Sequence, residues 1–280
     1  MFPESGYLNV TDQSGQKISR LILGLPATSI LGTMDRNISE IVYDSRKSGP
    51  DALFVAVPGG NCDGGTFIKD AIDKGASAFI TETSLDSLSE INLGSRDVTA
   101  LCVEDARKAL STVSANFYRR PSERLALTGI TGTNGKTTTA YILEALFREQ
   151  GAQTGVIGTI NYHYGDKELS APVTTPESLD LNRMLDEMIK GGIKNCFLEV
   201  SSHALHQNRV HGMYFKAGIF TNLSRDHLDF HDNMESYKNA KKKLFLDNHV
   251  QWKVFNIDDP IGREFSGEFK TDSFTTGIDS

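Results

Sequence analysis

Apolar positions along the chain form two kinds of pattern, short unbroken runs and longer stretches with helical spacing. Residues 52–57 (ALFVAV) form an apolar run ended by Pro58-Gly59-Gly60, which predicts a buried strand and a turn. In 66–75 (TFIKDAIDKG), Phe67, Ile68, Ala71 and Ile72 share one helical face and Gly75 stops it. Residues 76–81 (ASAFIT) predict the next strand. Residues 105–118 (DARKALSTVSANFY) predict a helix with Leu110, Val113 and Phe117 on one side. This strand–helix–strand rhythm implies a parallel or mixed sheet with helical crossovers.

The polar stretch 119–124 (RRPSER), with Pro121, predicts a domain boundary. Beyond it, strands are predicted at 125–131, 154–160, 195–200, 217–223 and 253–258. A helix is predicted at 136–150, with Ala140, Leu143 and Phe147 facing the core and Gly151 ending it. Another is predicted at 176–192, with Thr175 as N-cap, Pro176 in the first turn and Gly191-Gly192 as the stop. The fold class is therefore α/β in two domains, 1–120 and 121–280. The second is expected to be a mostly parallel sheet of the phosphate-loop type. The closing residues SFTTGIDS follow a strand-like stretch with no helix after it, so this domain reads as incomplete.

Composition narrows the class. The 280 residues are 39% hydrophobic and 23% charged, which suits a soluble globular protein. A net charge of −7 argues against a nucleic-acid surface. An anionic ligand would have to be held by local Lys and Arg. The N-terminus MFPESGYLNV lacks the pattern of a signal peptide, and no apolar stretch is long enough to span a bilayer. Cys62, Cys102 and Cys196 are odd in number and scattered, which fits reduced thiols. A monomeric cytoplasmic enzyme without nucleic-acid or membrane partners is expected.

The chemistry concentrates at Gly132, Thr133, Asn134, Gly135, Lys136, Thr137 and Thr138, between a predicted strand and a predicted helix. The usual phosphate-loop pattern, G-x-x-x-x-G-K followed by Ser or Thr, would place Gly where Ile130 stands. Phosphate binding needs only a tight turn with inward backbone N–H groups. Gly132 and Gly135 permit that turn. Lys136 offers charge for the outer phosphates and Thr137 a hydroxyl for Mg²⁺. No N-K-x-D motif follows, so ATP is favoured over a guanine nucleotide.

Glu199 ends the run 195–200, and the carboxyl end of a central strand is where a Mg²⁺ ligand belongs. A surface carboxylate at a strand end is the plain alternative. Five of the seven histidines lie between 203 and 231, without cysteine partners or clean ligand spacing. They fit polar loop histidines better than zinc ligands. Lys241, Lys242 and Lys243 are equivalent by spacing and fit a solvated helix face. Thr174 and Thr175 are hydroxyl donors or helix caps, and Asn256 fits a strand-end turn.

Six stretches occur in order between about Ile41 and Gly262. They are YDSRKSGPDALFVAVPGGNCDGGTFIKDAIDKGA, TGTNGKTTT, VTTPESLDL, LEVSSHALHQNRV, FTNLSRDHLDFHDNMESYKNAKKKLF and NIDDPIG. Together they resemble the Mur ligase family, ATP-dependent amide-forming enzymes of cell-wall synthesis whose phosphate loop lacks the first Gly. The resemblance implies a small N-terminal domain for a UDP-substrate, a central ATP domain, and a third domain for the incoming amino acid. That third domain has no counterpart in these residues, so the chain alone is expected to bind UDP-substrate weakly and not to ligate.

The resemblance also assigns roles. Lys136, Glu199, His227 and Lys241 are the implied catalytic group. Gly132 to Thr138 and Asn256 would bind ATP. Thr137, Glu199, His227 and Lys241 would hold two Mg²⁺ ions. Lys241 would be carbamylated by CO₂, which turns a cation into an anionic ligand and needs a lowered pKa. Tyr43, Ser45, Gly60, Asn61, Cys62, Thr174, Thr175, Ser201, Gln207 and Arg209 would contact the UDP-N-acetylmuramoyl-dipeptide. Gly60-Asn61 departs from the His-Gln pair that other members often carry. The implied reaction adds the third stem amino acid, meso-diaminopimelate or L-lysine, through an acyl phosphate. A folylpolyglutamate-type ligase, a substrate-binding fragment without activity and a generic nucleotide switch are the alternatives.

Overall fold

The computed structural model describes residues 15–59, 63–84, 87, 97–226 and 229–278. They fall into two compact units, Met1–Ala106 and Arg107–Ser280. The five-stranded sheet of the first is built from β2 (Ala27–Leu31), β4 (Glu40–Val42), β5 (Ala52–Val55), β6 (Ala78–Thr81) and β7 (Thr99–Val103), in the order β2-β7-β6-β5-β4. β4 to β7 run parallel and β2 is antiparallel to β7. A small antiparallel pair, β1 (Gln16–Lys17) and β3 (Asn37–Ile38), flanks helix α1 (Ile18–Leu21). The apolar run at 52–57 is the buried strand β5, and the helical pattern at 66–75 is a 3-10 turn leading into α2 (Ile68–Asp73). Phe54, Phe79, Ile68 and Ile72 join strands to helix in one core.

Helix α3 (Ala106–Phe117) leads out of this unit and buries Leu110 and Val113. In the second unit come β8 (Ala126–Thr131), α4 (Lys136–Glu149), β9 (Thr154–Ile157), β10 (Asn161–Tyr164), β11 (Lys167–Ser170) and α5 (Ser178–Lys190). They are followed by β12 (Asn195–Glu199), α6 (Ser202–His206), β13 (Tyr214–Phe220), α7 (Met234–Leu246), β14 (His249–Asn256), α8 (Pro260–Glu268) and β15 (Ser273–Thr276). The sheet order is β11-β10-β9-β12-β8-β13-β14-β15. Its strands are parallel except β10 and β11, an antiparallel hairpin at one edge.

Two sequence expectations change here. The run at 154–160 ends as a strand at Ile157, and residues 158–160 turn into the hairpin β10–β11, which the apolar pattern did not reveal. Helix α5 starts at Ser178 with Glu177 as its N-cap, its carboxylate accepting the Ser178 N–H. Thr175 is therefore not the cap, because its hydroxyl is engaged by strand β12, and Pro176 precedes the helix rather than lying in its first turn.

The sheet changes direction at β8, which has β12 on one side and β13 on the other. A crevice at the carboxyl ends of such strands is where α/β sheets bind ligands. The segments after β8, β12 and β13 carry the residues singled out from the sequence. Below them Phe220, Phe245, Phe255, Phe265 and Phe269 interlock beside β13 and β14. This packing makes the strand ends a rigid platform.

Candidate functional site

The segment between β8 and α4 is a tight loop with two left-handed glycines, Gly132 at φ 151° and Gly135 at φ 84°. Both are positions where a side chain is strained. At Gly132 there is no room either, since a Cβ would lie 1.9 Å from Thr221 Oγ1. Ile130 is wholly buried in β8, so the place of the missing glycine belongs to the strand core. The loop opens helix α4, whose N-terminal N–H groups and dipole favour an anion. The Lys136 ammonium lies back on the loop, donating to Gly132 O and Thr133 O, both at 2.9 Å. Thr138 stands exposed in the first turn.

Glu199 ends β12 beside this loop and is completely buried. One oxygen accepts the Thr159 N–H at 2.9 Å, and the other accepts the hydroxyls of Thr137 at 2.9 Å and Thr159 at 3.1 Å. The strand-end carboxylate is thus no surface group. Gly158 makes the contact possible, as a Cβ there would sit 2.2 Å from the Glu199 carboxylate.

Helix α7 faces the loop with Tyr237, Ala240, Lys241, Leu244 and Phe245 inward. That spacing separates the three lysines. Lys241 is 1% exposed, while Lys242 pairs with Glu268 at 2.6 Å. The Lys241 ammonium donates to Gly132 O at 2.8 Å and lies 4.4 Å from the centre of the Tyr237 ring. Burial and the neighbouring Lys136 charge push its pKa well below the ordinary lysine value, against the pull of Asp226. Burial lowers Lys136 as well, opposed by Glu199 and Asp226.

The segment after β12 gathers the other residues. Thr175 is buried, donating to Glu199 O at 2.8 Å and accepting the Ser201 N–H at 3.0 Å. Thr174 meets Thr159, hydroxyl to hydroxyl, at 3.1 Å. The Ser201 hydroxyl caps α6 by accepting the Ala204 N–H. Arg209 donates to Thr175 O at 2.7 Å and, through Nε and Nη2, to Gln207 Oε1 at 3.0 and 2.7 Å. Glu177 faces two guanidiniums, Arg107 at 3.3 Å and Arg209 at 3.7 Å. Asn256, at the end of β14, donates to Thr221 O at 2.8 Å.

In the first unit, Ser45 lies buried in a 3-10 turn, and Tyr43 just ahead of it is exposed. Lys74 and then the Ser45 hydroxyl hold the Asp70 carboxyl below the usual carboxylate range. Gly60, Asn61, Cys62 and His227 lie outside the described residues. Three of the other clustered histidines pack as rings, with His203 3.9 Å and His206 5.3 Å from Phe230, and His231 5.0 Å from Tyr237. Sequence reasoning missed Gly158, Thr159, Thr221 and Asn222. The turn residues after β9 and β13 carried a signal only by following apolar strands.

Residues 130–280, which include the glycines, Lys136, Glu199 and Lys241, match the Mur ligase middle domain. The chain belongs to the Mur ligase family. Residues 37–118 match a second description, the Mur ligase family catalytic domain. A UDP-N-acetylmuramoyl-L-alanyl-D-glutamate–2,6-diaminopimelate ligase of Clostridium perfringens (strain 13 / Type A) is 44% identical to this Mur ligase chain, over 88% of the chain and 49% of the relative. One of the same name from Cytophaga hutchinsonii is 40% identical, over 94% and 53%. The chain spans about half the length of the curated relatives it matches. A solved 2,6-diaminopimelate ligase of that name superposes with a TM-score of 0.77 at 26% identity, over 95% of this chain and 53% of that one. The fold is also shared with a MurF ligase of Thermotoga maritima solved with ADP, at TM-score 0.53 and 19% identity, over 86% of this chain and 51% of that one.

Proposed function

We propose that this chain carries the nucleotide and UDP-substrate sites of an ATP-dependent amide ligase of peptidoglycan precursor synthesis. The substrate would be UDP-N-acetylmuramoyl-L-alanyl-D-glutamate and the incoming amino acid meso-diaminopimelate. The observation that carries this reading is the 44% identity to a ligase of that name across 88% of the chain. The geometry at the ends of β8 and β12 supports it.

In this reading the loop N–H groups and the start of α4 receive the ATP phosphates. The Lys136 ammonium leaves the Gly132 and Thr133 carbonyls for the outer phosphates. Arg209 and the Thr174 hydroxyl orient the muramoyl-peptide, whose free carboxylate attacks the γ-phosphorus. An acyl phosphate forms and ADP leaves. The amine of the amino acid then attacks the acyl carbon, phosphate departs, and the amine loses its proton as the amide forms. Catalysis is chiefly positioning and charge stabilisation.

The buried Glu199 carboxylate and the Thr137 hydroxyl, 2.9 Å apart, are hard oxygen donors that suit a divalent cation such as Mg²⁺. Mg²⁺ bound there would neutralise phosphate charge; His227 and a carbamylated Lys241 complete the proposed ligand set for two ions. Carbamylation joins the neutral Lys241 amine to CO₂ with loss of a proton, and the lowered pKa favours that amine. Tyr43, Ser45 and the turn at Gly60-Asn61-Cys62 would hold the UDP end.

The test is calorimetric titration of the protein with ATP and Mg²⁺ and, separately, with the UDP-muramoyl-dipeptide, followed by mass analysis for amide product with meso-diaminopimelate or L-lysine. Binding of both ligands is expected, with meso-diaminopimelate rather than L-lysine in any amide product detected. Binding of neither ligand would overturn the reading.

A further inference from the structure

A second segment grips the phosphate loop. Thr221 and Asn222 leave the end of β13, whose last residue, Phe220, is in register with Thr131 of β8. The side chain of Asn222 treats the Asn134 peptide as a strand would. Its Oδ1 accepts the Asn134 N–H at 3.0 Å, and its Nδ2 donates to Asn134 O at 3.1 Å. The Asn222 carbonyl accepts the Thr133 N–H at 2.9 Å, and the Thr221 hydroxyl donates to Asn134 O at 2.7 Å. Two residues on, Ser224 N–H donates to Thr133 Oγ1 at 3.0 Å.

These bonds fix both peptide groups on either side of the loop's apex. They span 88 residues of sequence at Asn134. They also explain Gly132, whose missing Cβ is filled by Thr221 Oγ1 and approached by Asn222 N and O at 3.0 and 3.1 Å. Because Thr221 continues directly from a strand paired with β8, the grip is rooted in the packed sheet. A flexible glycine loop otherwise loses conformational freedom when it closes on a ligand. Holding it in advance removes that cost.

We propose that Asn222 is a positioning residue that preorganises the phosphate loop for nucleotide, acting through the peptide of Asn134 without touching the nucleotide. This rests on the reading of the loop as a nucleotide site. The test compares the wild-type protein with Asn222→Ala and with Thr221→Val. For each, the dissociation constant for ATP with Mg²⁺, the exchange rate of the Asn134 and Thr133 amides and the melting temperature are measured.

Asn222→Ala removes two bonds to the backbone of one residue, Asn134, so ATP binding is expected to weaken about tenfold. Asn134 amide exchange should accelerate while exchange in the strands stays as in wild type. Thr221→Val removes one bond and should weaken ATP binding by a smaller factor. A nucleotide constant within about twofold of wild type in the alanine variant, with Asn134 exchange unchanged, would overturn the proposal. So would weakening that merely follows a uniform rise in exchange across the unit. If the alanine variant fails to fold, the valine variant decides by the same two readings. If wild-type protein binds no ATP, the nucleotide reading fails by itself, and with it the proposal's nucleotide role, while amide exchange still reports whether Asn222 holds the loop.

Discussion

The two units solve the same packing problem with different materials. Among the described residues, the first unit buries only Ser45, Thr81 and Thr99 as polar side chains. The second buries Glu144, Asp186, Glu199 and Lys241 as well. A buried charge is costly unless paired or hydrogen-bonded. Glu144 and Asp186 have cations against them, Arg148 for the first and Lys190 for the second. Glu199 instead has three hydrogen-bond donors from Thr137 and Thr159, and Lys241 has a carbonyl and an aromatic face. Charges whose hydrogen bonds run to neutral groups, gathered beside a glycine loop, suit the proposed ligand site. The comparison teaches that burial with incomplete charge compensation, more than burial itself, marks the site.

The largest expected effect tests that contrast at its centre. Glu199→Ala should lower ATP-dependent turnover by about two to three orders of magnitude, as loss of a preorganised charge-stabilising group does, read as phosphate release under saturating substrate. Folding should survive, because two of the three donors that lose their acceptor are hydroxyls that can rotate and only the Thr159 N–H cannot. If turnover is unchanged, the carboxylate is structural and the contrast between the units collapses.

Gly132→Ala comes next. The left-handed backbone and the 1.9 Å approach to Thr221 should together cost about 2–4 kcal/mol. Urea unfolding measures it, and a value near zero would show that the loop and the β13 segment separate easily.

Lys241→Met separates function from stability. The apolar side chain should remove activity yet raise stability by about 1–2 kcal/mol, since a buried ammonium is exchanged for a thioether of similar shape. The sign with pH follows from the lowered pKa. In the folded state Lys241 gives up its proton more readily than the ordinary value of 10.5, so the unfolded chain binds more protons between the two values. Stability of the wild type should therefore rise as pH climbs from the folded-state pKa toward 10.5, with the full penalty remaining below that folded-state value. Lys136 contributes in the same direction, so Lys241→Met should flatten the slope without abolishing it. Thermal melts of both proteins across that range check it. A slope equal to wild type would remove Lys241 as the source.

The smallest effect belongs to the first unit. Ser45→Ala should cost about 1 kcal/mol or less, from one hydrogen bond to Asp70. It should raise the KM for the UDP-substrate and leave that for ATP unchanged. A change in ATP affinity would contradict the separate roles proposed for the two units.

Much of this is legible in the sequence. The glycine loop, Lys136 and Thr137 could be read because their spacing is local, with a strand before and a helix after. Strands β5, β8 and β12 followed from unbroken apolar runs, which only buried strands of a parallel sheet can accommodate. Four things were not legible, the first two because the partner is distant in sequence. Thr159 finds Glu199 across 40 residues and Asn222 finds Asn134 across 88. The three consecutive lysines looked alike until α7 packed, when helical spacing sent Lys241 inward with Tyr237 and Leu244. The hairpin β10–β11 escaped because β11 is fully exposed and carries no apolar pattern.

The sequence by itself determined the order of strands and helices, the glycines that let the loop turn, and the family to which the chain belongs. These depend on local backbone preference and on short periodic patterns. Tertiary structure alone decided which lysine is buried, what holds Glu199, and which segment grips the loop. Those outcomes depend on side chains meeting across a sheet whose neighbouring strands come from distant parts of the chain, and the cost of leaving a buried polar group unpaired is set only when they meet.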